Sequence, residues 1–97
     1  MSANRAAAEP QNLRRYLITR TFPPGALDGV DAAAKRQVNE NNRSVDVTWE
    51  RSYVNADKTK TFCIYNGPDE AAIREAARRN GLPVDTVTEI PNILMPV

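Results

Sequence analysis

The sequence predicts an α+β fold in which two helices cover one face of a four-stranded antiparallel sheet. The chain has 97 residues, which is enough for a single domain. Four regions alternate between apolar and polar residues or are rich in aromatic and β-branched residues. Two regions with helical periodicity lie between them. Their order is strand, helix, strand, strand, helix, strand. With right-handed crossovers, this βαββαβ order predicts a ferredoxin-like sandwich.

The first strand and the first helix are separated by a sharp break. Aromatic and β-branched residues predict the strand over residues 15–22, and Pro23-Pro24-Gly25 ends it. The helix is predicted from an apolar stripe at spacings of three and four residues. The stripe consists of Leu27, Val30, Ala34 and Val38. We expect this helix to fray in the run of residues 39–42.

Two strands joined by a hairpin follow. Alternation predicts the second strand over residues 45–54, with Trp49 packed under the first helix. Residues 55–58 are predicted to form the hairpin loop, and the third strand is predicted over residues 60–66. Alternation divides the third strand into two faces, Phe62 and Ile64 on one and Cys63 and Tyr65 on the other.

The second helix is predicted over residues 69–80. Asp69 is a suitable N-cap, and Gly81 supplies the C-terminal stop. A short fourth strand is predicted over residues 85–90. The predicted organisation is a flexible N-terminal extension over residues 1–13, a folded domain over residues 14–90 and a C-terminal tail over residues 91–97.

The sheet face away from the helices is expected to be half polar. From alternation it should carry Thr19 or Arg20, Thr48, Glu50, Ser52, Cys63 and Tyr65. Such a surface is too polar for a closed core and too rich in tyrosine and cysteine for a simple solvent face. We therefore expect a second subunit or a cavity to cover it. A face-to-face homodimer would also help a chain of this size to bury enough surface.

Composition excludes several classes of protein. The chain has 13 basic and 12 acidic residues, a net charge of +1, no histidine and one cysteine. Near-neutral charge argues against nucleic-acid binding. One cysteine cannot form an internal disulfide, and no apolar run has the length of a signal peptide or a membrane span. We expect a cytoplasmic protein without a histidine-based triad or a histidine-bound zinc ion.

Four short motifs occur in order along the predicted domain. They are Thr21-Phe22-Pro23, the strand from Val47 to Val54 (VTWERSYV), the strand from Thr61 to Tyr65 (TFCIY) followed by Pro68, and the helix from Ile73 to Pro83 (IREAARRNGLP). Together they resemble the small domain-of-unknown-function family that includes an actinobacterial nickel-binding protein. The resemblance covers about residues 15–90. It implies a dimeric ferredoxin-like α+β barrel and a role in nickel binding.

The sequence departs from this family at two positions. Members usually carry a histidine in the second helix, where this chain has Ala76. They also often carry a glutamate before the arginine that ends the first strand, where this chain has Thr19 before Arg20. Loss of the imidazole removes the donor best suited to nickel. The remaining candidate metal ligands are Cys63, Glu50 and Asp46.

Two functional hypotheses follow. The first is a non-enzymatic homodimer that binds a small ligand or a metal, similar to the nickel-binding family but without its histidine. Its candidate ligand-binding residues are Glu50, Ser52, Cys63 and Tyr65. The second is a cofactor-independent α+β barrel enzyme, an oxygenase or isomerase that acts on a small organic substrate. Its candidate catalytic residues are Glu50, Tyr65 and Arg20, with a desolvated carboxylate replacing histidine in proton transfer.

Overall fold

A computed structural model describes residues 13–97, so the predicted extension over residues 1–13 lies, apart from Leu13, outside the described residues. The elements are β1 Arg14–Thr21, α1 Ala32–Arg43, β2 Thr48–Val54, β3 Lys60–Gly67, α2 Glu70–Asn80 and β4 Thr86–Glu89. The βαββαβ order is confirmed. Residues 91–97 form neither helix nor strand.

The four strands form one antiparallel sheet in the order β2-β3-β1-β4. The central strand β1 pairs with β3 and with β4, so that Leu17 lies opposite Ile64 on one side and Thr88 on the other. Both helices pack on the same face of the sheet and contact each other. The predicted α+β fold class is therefore confirmed.

The hydrophobic core lies between the helices and the sheet. Its buried apolar residues are Tyr16, Ile18, Val47, Cys63, Tyr65, Ile73, Ala76 and Ala77. The pairing of Tyr16 with Tyr65 and of Ile18 with Cys63 turns alternate residues of β1 and β3 towards the helices. The open face carries Ile64 and Phe62 instead. The prediction that Cys63 and Tyr65 lie on the open face is therefore wrong.

A β-bulge in β2 changes the predicted alternation of that strand. Trp49 lies opposite Tyr65, but the next paired residue, Arg51, lies opposite Ile64, so Glu50 is an extra residue in β2. One inserted residue moves each later side chain of the strand to the opposite face of the sheet. Ser52 consequently faces the helices, whereas the sequence pattern placed it on the open face.

Helix α1 begins five residues later than the start of the predicted apolar stripe. Asp31 caps it by accepting a hydrogen bond from the Ala34 backbone N–H at 2.9 Å. The preceding segment forms turns, with Gly25 at a φ of 82°. The expected fraying near the C-terminal end is also wrong. Asn80 of α2 accepts a hydrogen bond from Asn41 and donates one to Asn42, which holds that turn against α2.

Helix α2 confirms the predicted caps. The Asp69 side chain accepts a hydrogen bond from the Ala72 backbone N–H at 2.8 Å. Gly81 ends the helix in the left-handed conformation, with a φ of 66°. This conformation is easily adopted by glycine and lets the last carbonyls find partners. Ile73, the largest core side chain of α2, is 1% exposed.

Candidate functional site

A groove of about 600 Å³ lies between α1 and the helix-facing side of the sheet. This volume falls within the range of pockets that bind small molecules, about 300 to 1,000 Å³. The apolar side chains of its wall are Phe22, Leu27, Val30, Ala34, Val38, Trp49, Val54 and Leu82. Val30 is 46% exposed and Ala34 is also exposed. The predicted apolar stripe therefore lines the groove and does not pack tightly on the sheet.

The buried Arg20 also lines the groove. Its residue surface is only 2% exposed, and its Nη1 donates a hydrogen bond to the Pro83 carbonyl oxygen at 2.7 Å. The guanidinium carbon lies 5.6 Å from the centroid of the Tyr65 ring. Among residues 13–97, no carboxylate oxygen lies within 4.0 Å of the Arg20 guanidinium nitrogens. A buried charge without an opposite partner costs on the order of several kcal/mol, because it has lost water and gained no counter-charge.

A chain of polar side chains continues along the groove beside Arg20. The Trp49 indole donates to Ser52 Oγ at 2.9 Å, and Ser52 Oγ donates to Cys63 Sγ at 3.0 Å. The Cys63 thiol in turn donates to Thr61 Oγ1 at 3.4 Å. Each of these groups has a neutral partner within the chain. Their hydrogen bonds fix the polar wall of the groove and leave Arg20 as its buried charge.

The charged side chains that line the groove all have the same sign. Lys35 of α1 and Lys58 of the hairpin join Arg20, and no aspartate or glutamate is among the lining residues that the structure describes. Both lysines are exposed. Burial raises the pKa of Tyr65 above its ordinary value, although the neighbouring Arg20 opposes this shift. Tyr65 is therefore a neutral phenol near pH 7, and the groove has a net positive charge.

The structure brings some of the sequence-predicted site residues together and separates others. Arg20, Ser52, Cys63 and Tyr65 all line the groove. Glu50 does not line the groove, because it lies on the open face, where alternation predicts it.

On that face Glu50 Oε1 lies 3.3 Å from Arg15 Nη2 and accepts a hydrogen bond from Asn66 Nδ2 at 3.2 Å. Asp46 is exposed in the turn between α1 and β2, at a φ of 61°. Neither carboxylate is placed to share a site with Cys63 in the core.

Sequence reasoning missed the cationic character of the groove. Lys35 follows Ala34 of the apolar stripe, and Lys58 was assigned only to a hairpin loop. A usable signal was present in β1, where Tyr16, Ile18 and Arg20 share one parity. Two large apolar residues on that parity indicate the core face, and this would have placed Arg20 among buried residues.

The donor groups of residues 13–97 do not fit a nickel ion. No group of three or more histidine, cysteine, aspartate or glutamate residues in this range could hold a metal ion. The Cys63 thiol is flanked by the neutral hydroxyls of Ser52 and Thr61, and Arg20 lines the same groove. Nickel favours imidazole or thiolate donors, and a guanidinium repels a divalent cation.

The topology and the groove define a small ferredoxin-like α+β protein with a cationic cavity between its first helix and its sheet. The chain belongs to the family described as nickel responsive protein SCO4226-like, whose model matches residues 16–90. The resemblance predicted from four motifs is thereby confirmed.

A solved structure supports the same fold. The crystal structure of SCO4226 from Streptomyces coelicolor A3(2) is similar to this chain, with a TM-score of 0.61 and 15% sequence identity. The similarity covers 82% of this chain and 99% of that chain. No match is found among the curated proteins. Within residues 13–97, no helix combines the length and apolar character needed to cross a membrane.

Proposed function

We propose that this protein is a non-enzymatic module that binds a small organic molecule in the groove between α1 and the sheet. The observation that carries the proposal is Arg20, a buried guanidinium without a carboxylate partner among residues 13–97, at an apolar groove of ligand size. An apolar cavity with a few convergent polar groups is the usual form of a small-molecule site. A ligand would supply the counter-charge that the described chain does not.

Two other functional hypotheses have less support. The family description speaks of nickel response, but the described donor set does not fit nickel. The cofactor-independent enzyme requires Glu50, Tyr65 and Arg20 in one site. Glu50 lies on the opposite face of the sheet from the other two. No aspartate or glutamate among the described residues lines the groove, so it offers a bound substrate no carboxylate base.

The proposal includes a homodimer formed through the open face of the sheet. On that face Tyr53 is 58% exposed and Phe62 is 36% exposed, and the less exposed Leu17 and Ile64 lie near them. Exposed aromatic residues on a sheet face are typical of a surface that another molecule covers. The groove lies on the helix side of the sheet, so a partner on the open face leaves it accessible.

The single tryptophan provides a direct test, because Trp49 lines the groove. Native mass spectrometry would first identify any molecule that co-purifies. Small anionic, neutral and cationic organic molecules would then be titrated against Trp49 fluorescence. We expect a saturable change that Ala34→Phe removes by filling the groove. Ala71→Phe, at an exposed position of α2, is the matched control and should leave it unchanged. If no molecule of any charge gave a saturable change, the proposed function would be wrong.

A further inference from the structure

Resting on the proposed function, we infer that the ligand is a monocarboxylate with an apolar body, which pairs its carboxylate with Arg20 and lays its body along the wall of α1. The charge, the burial and the position of the lining side chains select this chemical class of ligand.

The carboxylate is indicated by the geometry of guanidinium recognition. Arginine carries five N–H donors in a planar fork, and this fork matches the two oxygens of a carboxylate. Pro83 accepts one hydrogen bond from Arg20 Nη1, which orients the fork without neutralising it. Tyr65 contacts the charge through its ring. Neither partner carries a negative charge, so the ligand is the natural source of one.

The single negative charge is indicated by how many cations are buried. Arg20 is 2% exposed, whereas Lys35 and Lys58 are exposed at the groove and remain in contact with water. One buried cation neutralises one ligand charge, and a dianion would leave an excess negative charge out of water. The exposed lysines attract anions during approach, and salt screens this attraction.

The apolar body is indicated by the remainder of the lining. Leu27, Val30 and Val38 face the groove from the α1 side, and Trp49 and Val54 face it from β2. Val30 and Val54 are about half exposed, at 46% and 49%. A ligand body that covers these side chains would remove their apolar surface from water, and this burial would contribute to the free energy of binding.

Four ligands that share an eight-carbon chain separate charge from apolar contact. Octanoate, octanamide, octylamine and octyl phosphate would be titrated calorimetrically at neutral pH. We expect octanoate to bind at least about tenfold more tightly than octanamide, since hydrogen bonds to charged groups contribute about 1.5 to 3 kcal/mol. Octylamine should bind more weakly than octanamide, and octyl phosphate should bind more weakly than octanoate. Equal binding of octanoate and octanamide, or tighter binding of octyl phosphate than of octanoate, would overturn the inference.

Arg20→Met tests whether the selectivity comes from this side chain. It keeps much of the side-chain length and removes the charge, so octanoate should lose at least about tenfold in affinity while octanamide changes by less than about twofold. Arg51→Met, on the exposed open face, is the matched control and should change neither affinity. Circular dichroism would check that each variant is folded. Arg20→Lys provides a second variant that retains charge, and we expect it to keep part of the preference for octanoate.

The outcomes distinguish failure of the inference from failure of the proposed function. If octanamide binds and Ala34→Phe blocks it, but Arg20→Met leaves octanoate unaffected, the groove is a ligand site and the carboxylate assignment is wrong. If none of the four ligands binds but another molecule gives a saturable Trp49 change that Ala34→Phe removes, the inference is wrong and the proposed function stands. If no molecule gives such a change, both are wrong. If octanoate converts a dimer to monomers in sedimentation, a segment of a second copy fills the groove, and the assignment to a small carboxylate is overturned.

Discussion

The guanidinium carbon of Arg20 lies 5.6 Å from the centroid of the Tyr65 ring, and both residues are nearly inaccessible to solvent. The contact joins β1 to β3, and the hydrogen bond from Arg20 to Pro83 extends it to the loop after α2. A cation over an aromatic ring contributes about 0.5 to 2 kcal/mol, which offsets only part of the cost of burying the charge. The chain therefore stabilises Arg20 in place but leaves its charge available.

The buried phenol of Tyr65 should make stability depend on alkaline pH. Burial raises its pKa above the ordinary value of 10.0, so the folded state holds the proton more tightly than the unfolded state. This contribution to stability is complete below about pH 10 and is lost as the pH rises through the folded pKa. Urea unfolding between about pH 9 and pH 11 would measure it. Tyr65→Phe should reduce the loss, and Tyr53→Phe, on the open face, should not.

Gly67 should accept a Cβ only if two core side chains shift, because both approach it closely. A Cβ at this position would lie 3.0 Å from Ile73 Cδ1 and 3.1 Å from Val47 Cγ2. We expect Gly67→Ala to lower the free energy of unfolding by about 1 to 3 kcal/mol through overpacking. Gly29 has no atom within 4 Å of the same added group. Gly29→Ala should therefore change stability by less than about 0.5 kcal/mol in chemical denaturation, and equal effects at both sites would contradict the packing argument.

Asn80 should contribute to stability by linking the two helices. It accepts a hydrogen bond from Asn41 at 2.9 Å and donates one to Asn42 at 3.0 Å, and Asn42 is fully buried. Asn80→Ala removes a partner from both, and we expect a loss of about 1 to 3 kcal/mol in thermal or urea unfolding. Asn39→Ala, at an exposed position of α1, is the control. It should be neutral or slightly stabilising because alanine has the higher helix propensity.

The Glu75 carboxylate should titrate at unusually low pH. Hydrogen bonds from Arg78 and Arg79 lower its pKa from 4.5 to about 2. Its contribution to stability is therefore present above about pH 4.5 and is lost as the pH falls towards 2. Side-chain carboxyl NMR should show this midpoint, and replacing both arginines with glutamine should move it back towards 4.5. Arg74→Gln, which affects the separate pair with Glu70, should leave the midpoint unchanged.

The open face should control self-association. Sedimentation of the wild-type chain at micromolar concentration is expected to give a species of twice the 10.8 kDa chain mass. Phe62→Glu places a charge in the proposed interface and should shift the species to the monomer, because a buried unpaired charge opposes association. Ala71→Glu adds the same charge on the exposed side of α2 and should not. A wild-type monomer would refute the dimer while leaving the groove argument intact.

Much of the fold was predictable because its signals are local. Asp69 and Gly81 marked the ends of α2, and Asn66-Gly67-Pro68 marked the end of β3. The first helix was predicted less well. Its apolar stripe includes Leu27 and Val30, which lie in the segment before the Asp31 cap and line the groove. Hydrophobic periodicity does not distinguish a helix that packs on a core from apolar residues that wall a cavity.

The candidate site was only partly predictable, because it depends on which strand face is buried. Ser52, Cys63 and Tyr65 were selected correctly as neighbours but assigned to the open face, and Glu50 was grouped with them. Alternation separates the two faces of a strand, but it does not show which face packs against the helices. The bulge at Glu50 then reversed the faces within β2, and nothing in the local pattern marks that insertion.

The sequence by itself determined the order of the six elements, the caps of α2 and the family, since these depend on neighbouring residues and short motifs. Only the tertiary structure decided that Arg20 is buried beside Tyr65 and that Ser52 faces the helices. Those placements depend on the register between β1 and β3 and on an inserted residue in β2, which are contacts between residues far apart in the chain.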